Sequence, residues 1–165
     1  MMHTYIISLG SNQGNSRQIF QQAALRLEEN PRLHILKKSS IYETAPWGKL
    51  DQPAFLNAVM EVSWEKEPEE LMQFLLDVEK CFGRTREIHW GPRTLDLDMI
   101  FGWQIERAIP LLQLPHPYFW ERAFVLVPLA EICSDFFYQG ESIHSRLTSL
   151  EHSDVRKTDY TWEED

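Results

Sequence analysis

The order in which strand-like and helix-like periodicity alternate along this chain leaves it few architectures. Tyr5-Ile6-Ile7-Ser8-Leu9 reads as a buried strand, followed by turn residues and N-cap candidates at Gly10, Ser11, Asn12, Gly14 and Asn15. From about Ser16 to Glu29 the apolar residues Ile19, Phe20, Ala23, Ala24 and Leu27 recur at helical spacing, and Asn30-Pro31 ends the helix. Leu33 to Thr44 reads as extended, interrupted by Ala45-Pro46-Trp47-Gly48 and a loop to Pro53. Leu56, Ala58, Met60 and Val62 then alternate with their neighbours in the half-buried strand period. Glu67-Pro68-Glu69-Glu70 opens a helix whose Leu71, Phe74, Leu75, Val78 and Phe82 share one face, with Gly83 as its C-cap. Leu95, Leu97 and Met99 alternate with Asp96, Asp98 and Ile100 in a further strand.

The resulting order, β-α-β-β-α-β, predicts an α+β fold of the ferredoxin-like kind, an antiparallel sheet with two helices on one face. Residues 103–150 extend it, with a short hairpin expected at Pro115-His116-Pro117 and an apolar helix from about Phe124 to Ile132. At 165 residues the chain suits a single domain, assigned to 1–150, with a core large enough to need no metal or disulfide staple. Residues 151–165 read as an acidic, flexible tail. A hydrophobic fraction of 43% and a charged fraction of 25% exclude disordered and collagen-like chains, and no apolar run approaches membrane-spanning length. The start lacks the basic and apolar regions of a signal peptide, so a cytoplasmic address is expected. Cys81 and Cys133 lie far apart, and both read as core residues rather than a metal site or a disulfide.

Net charge is −9, the wrong sign for a surface that neutralises nucleic-acid phosphates. Six acids against two bases in residues 150–165 supply −4 of it, leaving −5 for the rest. Arg84, Arg86 and Arg93 fall within ten residues, with Arg122 further on. A local cationic site on an acidic protein suits a small anionic ligand.

Asp96 and Asp98 carry the strongest chemical signal. Residues i and i+2 of a strand share a face, about 7 Å apart along the chain, so the two carboxylates converge. Such a pair can hold hard cations whose other ligands are water and phosphate oxygens, although a solvated strand face has the same pattern. Trp90-Gly91-Pro92-Arg93 immediately precedes the strand, and Arg93 could aim a guanidinium fork at phosphate. The seven glycines include no P-loop spacing, so phosphates would have to be held by arginine and metal. Arg84 and Arg86, just past the Gly83 helix stop, are placed on a loop able to close over a ligand, or simply on a solvated basic loop. Trp47, Phe55, Trp90 and Phe124 sit beside turn residues, where they could stack on a flat heteroaromatic ligand or fill the core. Asn57 shares a strand face with Phe55 and has an amide able to read a ring's donor and acceptor edge. His116, between two prolines, is either a phosphate contact or a fixed turn residue.

These residues make the chain resemble the 6-hydroxymethyl-7,8-dihydropterin pyrophosphokinase family up to about residue 150. The resemblance rests on Leu9-Gly10-Ser11-Asn12, Tyr42 to Gly48, Asp51 to Asn57, Glu79 to Arg84, Leu114-Pro115-His116 and Arg122-Ala123-Phe124. Its most specific part is the run of nine from Trp90 to Asp98. The resemblance implies a ferredoxin-like pyrophosphokinase domain that transfers pyrophosphate from ATP to the pterin hydroxymethyl group in folate biosynthesis, releasing AMP. It further implies two Mg²⁺ ions on Asp96 and Asp98, with Arg84 and Arg93 also catalytic. Phe55 and Phe124 would sandwich the pterin while Thr44, Ala45, Trp47 and Asn57 read its edge, and Glu79, Arg84, Arg93, His116 and Arg122 would contact ATP.

The chain departs from the pattern of the family it resembles at four residues and in one loop length. Phe55 stands where some have Tyr, His89 where an arginine often lies, and Leu111 and Gln113 replace an Arg and a Thr that can touch phosphate; the loop at 87–89 is also one residue shorter. Two other readings of the fold are a binding module without catalysis and, less compatible with the charge, an RNA-binding sheet.

Overall fold

The computed structural model describes residues 2–12, 15–44, 54–82 and 95–163. Its main sheet is built from β1 (His3–Ser11), β2 (Leu33–Lys38), β3 (Tyr42–Thr44), β4 (Phe55–Trp64), β5 (Asp96–Gly102) and β10 (Val155–Lys157). The order is β10-β3-β4-β1-β5, with β2 also paired to β4, and every pairing is antiparallel. The helices are α1 (Ser16–Glu28), α2 (Pro68–Cys81), α3 (Ala123–Ile132) and α4 (Ile143–Ser149). This is the expected ferredoxin-like order. Among the described residues no helix is long and apolar enough to cross a membrane.

Strand alternation sends side chains to two cores. Tyr5, Ile7 and Leu9 of β1, Ala58, Met60 and Val62 of β4, and Leu97 and Met99 of β5 pack with Phe20 and Leu27 of α1 and Leu71, Leu75 and Val78 of α2. Ile6, Val59 and Ile100 point the other way and are covered by Val125, Leu126 and Leu129 of α3 together with Phe119 and Phe136. Each such side chain fully buried contributes about 1.5–3 kcal/mol. The second face is therefore covered by the apolar helix expected near Phe124 to Ile132, whose place on the sheet the sequence leaves open.

The stretch 33–44 forms two strands rather than one. Ser39 N–H donates to Val59 O at 2.9 Å while its Oγ accepts Val59 N–H at 3.0 Å, so one serine replaces a ladder position between β2 and β3. The two strands pair with opposite halves of β4, β2 along Met60–Trp64 and β3 along Phe55–Asn57.

Three further expectations are corrected. The short hairpin is β6 (Arg107–Ile109) with β7 (Leu112–Leu114). Pro115-His116-Pro117 instead follows it, after a cis Leu114–Pro115 bond, with His116 N–H donating to Ile100 O at 2.8 Å. A second small hairpin, β8 (Phe137–Tyr138) with β9 (Glu141–Ser142), precedes α4. Cys133 is buried as expected, but Cys81 is exposed at the end of α2 beside Arg26. The segment read as a flexible tail is ordered onto the sheet as far as residue 163, with β10 paired to β3 and Trp162 stacked on Phe20 at 5.8 Å. Gly83, the expected C-cap of α2, lies outside the described residues.

Candidate active site

Helix α3 covers only one end of the second sheet face. At the other end a cavity of about 320 Å³ opens, lined by Ser8 to Ser11 of β1, Thr44, Phe55, Asn57, Asp96, Asp98, Arg122 and Phe124. That volume lies at the lower end of the range for small-molecule sites.

Strand register sets the floor. Asp96 pairs with Gly10, which pairs on its other side with Asn57, while Asp98 pairs with Ser8. Asp96 and Asn57 therefore stand two strand spacings apart, about 10 Å, with only a glycine between them. A Cβ at Gly10 would lie 3.6 Å from Asn57 Oδ1, so any larger side chain would grow into the cavity floor. The even-numbered positions of β5 put Asp96 and Asp98 on this face, and Ile100 on the same face enters the α3 core. The alternation read from the sequence thus places both carboxylates as expected.

The opposite end of the row is polar and buried. Asn57 and Thr44 are each 8% exposed, and Asn57 Nδ2 donates to Thr44 Oγ1 at 3.1 Å. This bond fixes the amide and leaves its Oδ1 as an acceptor at the cavity. Phe55 and Phe124 are 39% and 37% exposed despite being large apolar rings, and both line the cavity. Exposed rings facing a cavity are what a flat ligand would cover.

Arg122 immediately precedes α3, and its guanidinium lies 5.8 Å from the Phe124 ring centre and 5.9 Å from that of Tyr118. Stacking on two rings holds a cation at the cavity rim. His116 Nδ1 accepts Tyr118 N–H at 3.2 Å, so the neutral ring carries its proton on Nε2. Burial, reinforced by Arg122 and only partly opposed by Asp98, holds the His116 imidazole below its ordinary pKa. Protonation therefore favours the unfolded chain: stability contributed by neutral His116 is complete above the ordinary value near 6.5 and is lost as pH falls towards the lowered folded value. His116→Gln should accordingly flatten the loss of stability between pH 7 and 5.5. Denaturant midpoints for the two proteins across that range check this, and equal slopes contradict it.

Glu79 stands apart from the other expected ATP contacts. It is 2% exposed, does not line the cavity, and its Oε2 accepts Leu97 N–H at 2.7 Å. Since β5 is the sheet edge, this bond from α2 satisfies an outward N–H on the residue between the two aspartates. The carboxylate holds the strand in this geometry.

Ala45, Trp47, Arg84 and Arg93, with Arg86 and Trp90, lie outside the described residues. Ser8 and the absent side chain of Gly10 are cavity features without an assigned role in the sequence analysis. Only the pairing of β1 between β4 and β5 makes them the floor. Among the described residues no group of three His, Cys, Asp or Glu could enclose a metal. Two carboxylates on one strand face suit a cation that keeps water and phosphate as its remaining ligands, as Mg²⁺ does.

The 7,8-dihydro-6-hydroxymethylpterin-pyrophosphokinase family model matches residues 6–134. A 2-amino-4-hydroxy-6-hydroxymethyldihydropteridine pyrophosphokinase from Methylorubrum extorquens is 37% identical over 153 residues, covering 93% of this chain and 97% of the relative. One of the same description from Bacillus subtilis is 44% identical over 127 residues, covering 77% and 76%. Among solved structures, wild-type Plasmodium falciparum HPPK-DHPS with SDX-DHP superposes with a TM-score of 0.67 at 13% identity, over 94% of this chain and 47% of the larger one. That likeness is one of fold. The extent and identity of the sequence matches settle the family: the chain belongs to the 7,8-dihydro-6-hydroxymethylpterin-pyrophosphokinases.

Proposed function

We propose that this protein transfers the pyrophosphoryl group of ATP to 6-hydroxymethyl-7,8-dihydropterin, giving the pterin diphosphate and AMP, as a step of folate biosynthesis in the cytoplasm. The observation that carries the reading is one open cavity with two exposed rings and a fixed amide at one end and paired carboxylates at the other. The spacing along the Asp96-Gly10-Asn57 row suits a bicyclic ring whose short arm ends beside the aspartates.

In this reading Phe55 and Phe124 stack on the two faces of the pterin, and Asn57 and Thr44, with Ala45 and Trp47, read its edge. The hydroxymethyl oxygen attacks the β-phosphorus of ATP. An O–P bond forms there, the bond from that phosphorus to the oxygen bridging the α-phosphate breaks, AMP leaves, and the hydroxyl proton passes to solvent. Asp96 and Asp98 would hold Mg²⁺, two ions by the family resemblance, whose charge offsets that of the β- and γ-phosphates. Arg122, which lines the cavity, and neutral His116, on the turn before Tyr118, are assigned as ATP contacts. Arg84 and Arg93 are assigned to the transferring phosphates from their place in the sequence. Glu79 is assigned a supporting role.

Phe124→Ala should weaken pterin binding by roughly 2 kcal/mol, about thirtyfold, and ATP binding less, because the ring stacks directly on the flat ligand while Arg122, which it also supports, keeps its place over Tyr118. Calorimetry with each ligand checks the ordering; equal losses would move the pterin elsewhere. The reading as a whole is tested by AMP release from ATP with and without the hydroxymethyl pterin. AMP formed only when the pterin is present supports it, and AMP formation indifferent to the pterin overturns it.

A further inference from the structure

The C-terminal segment lies beyond residue 134, where the family match ends, and it is built onto the root of the pterin-reading edge. Val155 pairs with Thr44 and Lys157 with Tyr42, so β10 turns the three-residue strand β3 from a sheet edge into an interior strand. Thr158 continues the attachment, its N–H and Oγ1 both donating to Ile41 O, at 2.9 and 2.7 Å. The chain then crosses to α1. Gln21, 4% exposed, donates from Nε2 to the carbonyls of Thr161 and Glu163, both at 3.0 Å. Between those two residues Trp162 stacks on fully buried Phe20 with the ring planes 9° apart, and its Nε1 donates to Ser39 O at 2.8 Å. Arg17 lies over the Tyr160 ring and Lys38 over that of Trp162, at 5.3 and 5.7 Å.

A three-residue strand gains little from one neighbour alone, and short elements of this kind open locally at a small cost. From the opposite side, Glu131 of α3 accepts Ser40 N–H and Oγ–H and the Tyr42 hydroxyl, so both borders of the β3 root are tied down. Thr44, whose hydroxyl fixes Asn57, stands at the far end of this strand.

We propose that residues 155–163 are a strap that holds Thr44 and Asn57 in their ring-reading geometry, with Trp162 as its anchor and positioning residue. The inference rests on the pyrophosphokinase reading. Trp162 does not line the cavity and acts through β10 and β3. Without the anchor, β3 occupies its bound geometry for only part of the time, and apparent affinity for the pterin falls by that fraction. Chemistry on the bound pterin and the binding of ATP are untouched.

The test uses full-length Trp162→Ala, Trp162→Phe and the milder Thr158→Val, with 6-hydroxymethyl-7,8-dihydropterin and ATP as separate probes. Trp162→Ala should raise the pterin dissociation constant about tenfold, with kcat and the ATP dissociation constant within about twofold of the parent. Trp162→Phe should restore most of the affinity by keeping a ring on Phe20. Thr158→Val, which loses the Oγ1 bond to Ile41 O and the one accepted from Tyr160 N–H, should act in the same direction by about threefold. Hydrogen exchange of the 42–44 amides should quicken in parallel, whether or not ligand is present. Unchanged pterin affinity and unchanged exchange in folded Trp162→Ala or Thr158→Val would overturn the strap, as would equal losses for pterin and ATP. A parent protein that does not bind the pterin overturns the functional reading instead, and exchange at 42–44 still decides whether the strap holds β3.

Discussion

Asp98→Ala, and equally Asp96→Ala, is expected to leave the protein folded while lowering turnover by at least about a thousandfold. Both side chains lie on the open part of the second sheet face, half-buried and outside the two apolar cores, so their removal takes little from packing. What it takes is the pair of carboxylates facing the cavity. Stabilising the charge of a transferring pyrophosphoryl group by about 4 kcal/mol corresponds to that thousandfold factor. Single-turnover rates at saturating Mg²⁺, with a thermal melt to establish folding, measure it. Near-normal turnover in either folded variant would remove the carboxylate pair from the chemistry.

Glu79→Ala should damage both stability and rate. The Leu97 N–H that it caps lies on the edge strand between the two aspartates, and a buried donor left unpaired costs about 1–3 kcal/mol. In a chain of this size that lowers Tm by roughly 3–10 °C. Because Leu97 separates the two cavity-facing aspartates, the released strand should also lower kcat. Glu79→Gln keeps an acceptor at the same place and should recover most of both losses. If Glu79→Ala melted like the parent and changed only ATP affinity, the carboxylate would be a ligand contact and not a strand clamp.

Much of this site could be read from period-two alternation. Asp96 and Asp98 had to share a face because Leu95, Leu97 and Met99 claim the other, and Asn57 had to follow Phe55 for the same reason. The helices α1 and α2 were equally plain in their apolar spacing. What alternation cannot give is which strands are neighbours, so the row from Asp96 through Gly10 to Asn57 emerged only from the register. Nothing local marks Ser39 as the break between β2 and β3, because its hydroxyl substitutes for a ladder bond to Val59, which is distant in sequence. The family resemblance alone assigns Glu79 to ATP, and the bond its carboxylate accepts from an edge N–H is a tertiary event that nothing local marks. The acidic C-terminal composition suggested a solvated tail, yet the β10–β3 pairing, one indole on Phe20 and two carbonyls on Gln21 seat it. Cys81 misled in the opposite direction: it occupies the last turn of an amphipathic helix on the side left to solvent.

The central claim is that a pyrophosphoryl group, not a single phosphoryl group, crosses this cavity intact. ATP labelled at the β-phosphorus, incubated with the protein, Mg²⁺ and 6-hydroxymethyl-7,8-dihydropterin, follows that group directly. The label should appear wholly in a pterin diphosphate, with one AMP formed per pterin consumed. Label retained in ADP alongside a pterin monophosphate would contradict the account.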